Sequence, residues 1–268
     1  MALLFSSEGH RRLDDFARHG LLCAFDFDGT LAPLVPMPEQ ASLPEEIRER
    51  LVELTDYAPV AIITGRSVPD ICDRLRFDPD FVVGNHGLEG VPGWEEHSEQ
   101  HRALCAGWMR QLQRALDDMS HASGIQIEDK RYSISVHYRQ ARDPAQASRA
   151  LERLFHTLSP VPRIIDGKFV FNLLPEDGAD KGIALERLMQ SCGAHRAIYV
   201  GDDVTDEDVF ALQRPDVLSV RIEHHEASAA DFHLEKPQDI LQLLEEIRNR
   251  LHAAGSRNWV RSKESKSA

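Results

Sequence analysis

The sequence has few cysteines, and their spacing excludes two classes of small protein. Cys23, Cys72, Cys105 and Cys192 are scattered along the chain and form no Cys-x-x-Cys pair. Neither a disulfide framework nor a structural zinc site follows from such a pattern. Buried thiols in a reducing compartment are the simplest interpretation, so we expect a cytoplasmic protein.

Basic side chains are also scarce. The 268 residues include 31 lysines and arginines against 44 aspartates and glutamates, which gives a formal net charge of −13. A protein that binds the nucleic-acid backbone needs a basic surface, so we expect no nucleic-acid partner. A small phosphorylated ligand is compatible with this composition, because one metal ion and a few basic residues can reverse the charge locally.

Long apolar segments are absent from the sequence. No apolar run reaches the ~20 residues that a membrane-spanning helix needs. Met1–Phe5 is short and lacks the preceding basic region of a signal peptide. We therefore expect no membrane association. The hydrophobic fraction of 42% is that of a globular protein, and the length suits one large domain or two small ones.

Short apolar runs alternate with helical patterns through much of the chain. The runs, which are bounded by polar or turn residues as buried strands are, are Leu21–Phe27, Val60–Thr64, Phe81–Val83, Ala197–Val200 and Val217–Val220. Between the first two, Ile47, Leu51 and Leu54 repeat on one helical face, and Lys181–Cys192 and Gln238–Leu251 are further helical segments. This alternation predicts an α/β fold with a Rossmann-like parallel sheet between two layers of helices.

The middle of the chain has a different pattern, in which a helix is followed by two strands and the order is then repeated. The predicted elements are helix Glu99–Met119, strands Ile125–Glu128 and Ser133–Tyr138, helix Pro144–Leu158, and strands Arg163–Ile165 and Phe169–Leu173. Asp166-Gly167 predicts the hairpin turn between the last two strands. We therefore expect a core from residues 1–90 and 177–254, an inserted α+β cap from residues 91–176, and a disordered tail from residues 255–268.

Two aspartates follow the first apolar strand, in the segment Phe25-Asp26-Phe27-Asp28-Gly29-Thr30. The carboxyl end of a parallel strand lies at the ligand-binding edge of the sheet, so these carboxylates are candidate site residues. Gly29 permits a tight turn directly after them. An ordinary turn made by an aspartate side chain would explain the same residues without any function.

Three further segments decide between these interpretations. They are Thr64-Gly65-Arg66 after the second strand, Asp180-Lys181-Gly182 at a helix start, and Gly201-Asp202-Asp203-Val204-Thr205-Asp206 after a later strand. Each has a structural explanation of its own, namely a helix cap, a surface lysine and an acidic helix start. No single structural explanation covers all four segments in this order. Together they resemble the four signatures of the haloacid-dehalogenase superfamily of phosphotransferases.

This resemblance implies a parallel-sheet core of the haloacid-dehalogenase type and a Mg²⁺ cofactor. The ion would be held by the Asp26 carboxylate, the backbone carbonyl of Asp28 and the Asp202 carboxylate, with Asp203 and Asp206 as supporting acidic groups. Mg²⁺ suits such a site because it prefers a few carboxylates together with water and substrate oxygens.

The resemblance also implies a mechanism. Asp26 would be the nucleophile that forms an aspartyl-phosphate, and Asp28 would act first as general acid and then as general base. Thr64 and Lys181 would stabilise the transferring phosphoryl group. The dehalogenase branch of the superfamily lacks the second aspartate, so Asp28 favours phosphoryl transfer.

Further segments resemble the trehalose-6-phosphate phosphatase family, from about Leu21 to Leu251. They are Gly84-Asn85-His86-Gly87-Leu88-Glu89, the residues Glu128, Lys130, Ser133 and His137-Tyr138-Arg139, the pair Gly167-Lys168, and the lysine and acidic segments above. The resemblance implies that the residues contacting the sugar phosphate are Gly65, Arg66, Asn85, His86, Lys130, His137, Arg139 and Asn172. Exposed charge would explain Lys130 and Arg139 without function, and cross-strand packing would explain His137.

The chain departs from the family pattern at one place. Where the family commonly has Glu-x-x-Pro or Glu-x-Arg-Pro, this chain has Asn172-Leu173-Leu174-Pro175. A neutral amide can still bind a sugar hydroxyl, but it loses the stronger charge-assisted bond.

We therefore expect hydrolysis of trehalose 6-phosphate to trehalose and inorganic phosphate by a monomer or small homo-oligomer. A phosphatase for another sugar or glycosyl phosphate stays open as an alternative. A non-catalytic sugar-phosphate sensor and a phosphoglucomutase-like enzyme remain open as less favoured ones.

Overall fold

The computed structural model describes residues 1–117, 123–176 and 178–255. These residues form two compact units, one made of Met1–Pro92 with the described residues from Ala179 onward, and the other of Gly93–Gly178. The borders lie two residues after those expected from the sequence. Among the helices of the described residues, none is long and apolar enough to cross a membrane.

The strands and helices alternate in the first unit and follow the helix–strand–strand order in the second. The strands are β1 (Ala2–Leu3), β2 (Leu21–Phe25), β3 (Val60–Ile63), β4 (Phe81–Val83), β5 (Gln126–Asp129), β6 (Ile134–His137), β7 (Arg163–Gly167), β8 (Val170–Leu174), β9 (Arg196–Gly201), β10 (Val217–Ile222) and β11 (Phe232–Leu234). The helices are α1 (Ser7–Phe16), α2 (Glu45–Leu54), α3 (Val68–Leu75), α4 (Glu95–Asp117), α5 (Pro144–Phe155), α6 (Lys181–Cys192), α7 (Glu207–Phe210) and α8 (Asp239–Ala253).

The first unit contains a seven-stranded parallel sheet in the order β1-β11-β10-β9-β2-β3-β4. All five residues of the central strand β2 are buried. Phe25 pairs with Val200 of β9 on one side and with Ile62 of β3 on the other. The parallel sheet predicted from the apolar runs is confirmed, and the carboxyl ends of β2, β3 and β9 meet at one edge.

Helices cover both faces of this sheet. Cys23 and Phe25 on one face pack in a core that includes Leu51 of α2 and Ile247 of α8. The opposite face meets α6, which contacts β2 and β3 and buries Leu185. The periodicity of apolar residues predicted these helices because each buries one stripe against the sheet.

The second unit is a four-stranded antiparallel sheet in the order β5-β6-β8-β7, with α4 and α5 on one face. Its core contains Trp108, Phe155 and Phe171, all at most 2% exposed. The repeated helix–strand–strand pattern is therefore confirmed. Met119, the predicted end of the first cap helix, and the tail predicted to be disordered lie outside the described residues, except Gly255.

One turn prediction was wrong. Asp166 and Gly167 pair with Phe171 and Val170 as the last residues of β7, so they belong to the strand. The turn consists instead of Lys168 and Phe169, and Phe169 adopts a left-handed φ of 65°. The dipeptide signal failed because strand pairing continues two residues beyond it, and a phenylalanine takes the conformation that the pattern assigned to glycine.

Candidate active site

The acidic residues predicted from the sequence meet at the carboxyl edge of the parallel sheet. Asp26 follows β2 directly, is 4% exposed, and donates its backbone N–H to the carbonyl of Val200 over 2.9 Å. Asp202 follows β9, the neighbouring strand. Lys181, the first residue of α6, reaches the same edge. Strand order thus brings together residues that are more than 150 positions apart in the chain.

Lys181 is a buried cation between two carboxylates. Its side chain is 2% exposed, and its Nζ lies 2.8 Å from Oδ1 of Asp26 and 2.7 Å from Oδ1 of Asp206. Burial lowers the pKa of Lys181, but the charges of Asp206 and Asp26 outweigh it and hold the pKa above its usual value. The ammonium group therefore stays charged at neutral pH, and the lysine is not a solvated surface residue.

Asp206 uses both of its oxygens inside the protein. Oδ1 accepts the hydroxyl of Tyr199 over 2.6 Å as well as the Lys181 ammonium. Oδ2 accepts the backbone N–H groups of Asp202 and Asp203, each over 2.9 Å. These four donors occupy both oxygens, so the Asp206 carboxylate holds in place the acidic loop, which comprises residues 202–206.

Asp26, Asp202 and Asp206 form a carboxylate cluster that fits a hard metal ion. One oxygen from each lies within 4.8 Å of the others. Burial raises the pKa of Asp26, Lys181 lowers it, and Asp206 and Asp202 raise it further. Burial and the charges of Asp206 and Asp203 raise the pKa of Asp202 to about 7. The single positive charge of Lys181 does not balance the negative charge of the three carboxylates. Carboxylate oxygens are ligands that Mg²⁺ prefers. Because Asp206 is already engaged, Asp26 and Asp202 are the side chains of this cluster that could hold the ion.

The turn after β2 is shaped around Asp202. The hydroxyl of Thr30 donates to Oδ1 of Asp202 over 3.1 Å. Gly29 has φ 87°, and a Cβ at this position would lie 2.0 Å from Oδ2 of Asp202. The glycine is therefore required both by its backbone conformation and by the carboxylate that occupies the space of its missing side chain.

Asp28 forms a bidentate ion pair with Arg66. Nε and Nη2 of the guanidinium lie 2.6 and 2.7 Å from the two carboxylate oxygens. The Arg66 side chain is 11% exposed and lies over the ring of Phe27, 5.7 Å from its centroid. A planar fork on a carboxylate fixes the orientation of both groups. Arg66, expected to contact the substrate, here contacts the expected general acid.

The ion pair continues into α3. Nη1 of Arg66 donates to Asp70 over 2.7 Å, and Asp70 accepts two further bonds from Nε and Nη2 of Arg74. Nη1 of Arg74 in turn donates to the carbonyls of Glu39 and Ala41, over 3.0 and 2.8 Å. This relay of Asp28, Arg66, Asp70 and Arg74 connects the turn after β2 to the segment before α2.

Thr64, Gly65, Asn85 and His86 lie at the ends of β3 and β4. Thr64 is 1% exposed, and its hydroxyl accepts the backbone N–H of Arg66 over 3.2 Å. A Cβ on Gly65 would lie 2.4 Å from Cε1 of His86, so the imidazole packs directly on this glycine. Asn85 is fully buried and donates its amide to Glu89 over 2.8 Å, which makes it a support of this loop in the present conformation.

The predicted substrate residues of the second unit occupy its sheet and turns. Asn172 pairs with Ser135, whose hydroxyl donates to Oδ1 of the amide over 2.6 Å. Nε2 of His137 lies 3.0 Å from Glu128. Ile134, Val136, Phe171 and Leu173 pack in the core with the cap helices. Because side chains alternate along a strand, Ser135, His137 and Asn172 share the opposite face.

Lys130 and Arg139 flank that face. Lys130 follows β5 and donates its backbone N–H to the carbonyl of Ser133 over 3.0 Å. Arg139 follows β6, is exposed, and lies 5.8 Å from the ring centroid of Phe169. Sugar binding by these two residues stays a prediction made from the sequence.

Sequence reasoning assigned no role to three residues that contact the acidic groups. Thr30 and Tyr199 donate to Asp202 and Asp206. Arg221 contacts the backbone of the acidic loop from β10. Arg221 lies between Val220 and Ile222 near the end of β10. A charged residue between two apolar ones was a usable signal of a specific partner, though not of which partner, because lysines and arginines are rarely buried without one.

The architecture agrees with solved phosphatase structures of the haloacid-dehalogenase type. The C-terminal domain of C. albicans trehalose-6-phosphate phosphatase superposes with a TM-score of 0.70 at 22% identity, covering 89% of this chain and 95% of that one. The sucrose-phosphatase of Synechocystis sp. PCC6803 gives a TM-score of 0.54 at 18% identity, covering 85% and 98%. At these identities the likeness defines the fold class.

Comparison of sequences identifies the family of the chain, which the likeness of folds does not. The family model for trehalose-phosphatase matches residues 24–238. The trehalose-phosphate phosphatase of Mycobacterium marinum is 31% identical over 243 residues, covering 86% of this chain and 62% of the relative. An uncharacterized glycosyl hydrolase of Mycobacterium tuberculosis is 33% identical over 237 residues, covering 83% of this chain and 18% of the relative. The chain belongs to the trehalose-phosphatase family, and it spans less than two thirds of the length of these two relatives.

Proposed function

We propose that the protein hydrolyses trehalose 6-phosphate to trehalose and inorganic phosphate. The observation that carries this proposal is the buried cluster in which Lys181 joins Asp26 to Asp206 beside Asp202. Family membership supports the substrate, and the acidic edge of the sheet supports the chemistry.

Asp26 is the proposed nucleophile. The Lys181 ammonium holds Oδ1 and so orients the carboxylate. A carboxylate oxygen attacks phosphorus, the bond from phosphorus to the sugar oxygen breaks, and an aspartyl-phosphate forms. Water then attacks phosphorus, the bond to Asp26 breaks, and inorganic phosphate leaves with the carboxylate restored.

Asp28 is the proposed proton carrier. In the first step it gives a proton to the departing sugar oxygen, and in the second step it takes one from the attacking water. The Arg66 fork fixes the direction in which this carboxylate points. Thr64 and Lys181 donate to the oxygens of the transferring phosphoryl group, where negative charge is concentrated.

The residues at this edge fit a Mg²⁺ cofactor. Asp26, Asp202 and the backbone carbonyl of Asp28 would hold it, with Asp206 and Asp203 supporting the loop. When bound, Mg²⁺ supplies the positive charge that lets an anionic phosphate approach an anionic nucleophile.

We propose that polar side chains of the second unit bind the sugar. His137, Asn172, Lys130 and Arg139 are the candidates there, with Asn85, His86 and Gly65 at the ends of β3 and β4. The Asn172 carbonyl oxygen already accepts the Ser135 hydroxyl, so its amide N–H₂ is the group that this residue offers to a ligand. Asn172 offers a hydrogen-bond donor at a position where the family commonly has a carboxylate, which accepts hydrogen bonds. This difference favours a second candidate function, in which the protein is a phosphatase for a related glycosyl phosphate.

Phosphate release from trehalose 6-phosphate, glucose 6-phosphate and sucrose 6-phosphate, with and without chelator, tests the proposal. We expect the trehalose ester to be hydrolysed fastest and chelation to abolish turnover. Equal rates on the three esters would contradict the substrate, and activity that survives chelation would contradict the metal. Asp26→Asn protein that folds and keeps its turnover would exclude the nucleophile.

A further inference from the structure

Two side chains, those of Asp206 and Arg221, form hydrogen bonds with the backbone of Asp202 and Asp203. The Asp206 carboxylate accepts the N–H groups of both residues, each over 2.9 Å. The guanidinium of Arg221 donates to both of their carbonyls, with Nη2 on Asp202 and Nη1 on Asp203, the latter over 3.3 Å. Two charged side chains of opposite sign therefore hold the three consecutive peptide units between Gly201 and Val204, in the loop that presents Asp202.

Arg221 is itself held in place. It lies next to the end of β10, in register with Gly201 of β9, and its side chain is 12% exposed. Nη1 also lies 3.0 Å from Oε1 of Glu207, whose Oε2 accepts the backbone N–H of Ala229 over 2.9 Å. Because Nη1 bonds both Glu207 and the Asp203 carbonyl, the planar guanidinium is restrained in one orientation against the loop.

We propose that Arg221 is a positioning residue for the metal-binding carboxylate of Asp202. This inference rests on the proposed Mg²⁺ site and deepens it. Residues that orient metal ligands from behind typically change metal affinity by roughly 10- to 100-fold when they are removed. The Thr30 hydroxyl fixes the Asp202 carboxylate directly, and Arg221 fixes the backbone from which that carboxylate extends.

Positioning and simple electrostatics predict opposite results for Arg221. A guanidinium this close to the site repels a divalent cation, so deleting its charge alone would tighten Mg²⁺ binding. If Arg221 acts by holding the loop, deletion weakens Mg²⁺ binding even though a repelling charge is gone. The sign of the change therefore separates the two effects.

The test is calorimetric titration of the protein with MgCl₂, in the absence of sugar phosphate. We expect Arg221→Met to raise the dissociation constant for Mg²⁺ about tenfold. Arg221→Lys keeps the charge but lacks the planar guanidinium that bonds both carbonyls, so we expect it to raise the dissociation constant for Mg²⁺ as well. Arg214→Met is the matched control, because Arg214 pairs with Asp216 and Glu186 at the other end of β10.

The kinetic counterpart is the Mg²⁺ concentration for half-maximal turnover. We expect it to rise in the Arg221 variants, while KM for the sugar phosphate at saturating Mg²⁺ stays within about twofold of the wild type. Unchanged or tighter Mg²⁺ binding by a folded Arg221→Lys or Arg221→Met protein would overturn the proposal, as would a wild-type protein that binds no Mg²⁺. A wild-type protein that binds Mg²⁺ but ignores trehalose 6-phosphate would refute the proposed substrate alone.

Discussion

At the scale of single residues, the environment of Lys181 shows how context gives an ordinary side chain its chemistry. In the sequence it is one lysine among 31 basic residues. In the fold its side chain is 2% exposed and makes ion pairs with Asp26 and Asp206. Removing one partner of a buried ion pair is costly because the other charges stay buried without compensation.

Substitution Lys181→Met should therefore destabilise the protein as well as inactivate it. We expect a loss of about 3–5 kcal/mol in the free energy of unfolding, measured by denaturant titration without metal. Lys236→Met is the control, because Lys236 is 63% exposed and lies 3.9 Å from Asp239. Its effect should stay within about 0.5 kcal/mol. Equal losses in the two variants would show that Lys181 is not held as described.

Thiol reactivity gives a second test at this scale. Burial raises the pKa of Cys23 far above its usual value, and burial raises that of Cys105 to about 12. Since the thiolate is the reactive form, a raised pKa leaves these residues inert at pH 8. Cys72 is exposed, so we expect it to be alkylated first. Mass spectrometry should show loss of the fastest modification in Cys72→Ser; rapid labelling of Cys23 in the folded protein would contradict this burial.

At the scale of elements, the relay of Asp28, Arg66, Asp70 and Arg74 connects three segments that the sheet alone does not join. Asp70 lies at its centre and accepts bonds from both arginines. The carbonyls of Glu39 and Ala41 complete it at the far end. The relay thus couples the order of the segment before α2 to the orientation of Asp28.

Substitution Asp70→Asn should loosen this coupling. The amide keeps the size of the side chain but loses its charge, so we expect the free energy of unfolding to fall by about 1–3 kcal/mol. We also expect faster hydrogen exchange in residues 31–43. Asp73→Asn, an exposed position on the same helix, is the control. Unchanged exchange in Asp70→Asn would show that the relay does not order the segment.

The elements also show what a sequence can and cannot predict. The strands that precede Asp26 and Asp202 were predicted because each is a continuous apolar run followed by closely spaced aspartates. Strand β1 was missed because two residues are too few to show a period, and β11 because His233 interrupts its apolar residues, whereas the equally short β4 is a continuous apolar run. Arg221 was missed because its role depends on the pairing of β10 with β9 and on the path of a loop, neither of which a local pattern contains.

At the scale of the whole molecule, the chain forms two units with separate hydrophobic cores. The parallel-sheet unit carries Asp26, Asp28, Lys181 and Asp202. The second unit has its own core around Trp108 and Phe155, both fully buried. Units with separate cores can unfold in separate transitions.

Substitution Phe155→Ala should divide thermal unfolding into two transitions. Deleting a buried phenylalanine side chain costs roughly 3–5 kcal/mol, and this cost should lower the midpoint of the second unit. Added Mg²⁺ should raise only the midpoint of the parallel-sheet unit, because a ligand stabilises the part that binds it. Differential scanning calorimetry with and without MgCl₂ measures both shifts. A single transition that responds to Phe155→Ala and to Mg²⁺ would instead show that the two units unfold together.

The two glycines beside the acidic cluster have a consequence for evolution of the site. A Cβ on Gly29 would lie 2.0 Å from the Asp202 carboxylate, and a Cβ on Gly201 would lie 2.2 Å from Cγ of Asp206. Neither glycine has a side chain that could touch a substrate, so changes of specificity have no reason to alter them. Descendants of this gene can therefore diverge in the second unit while both positions stay closed to every other amino acid.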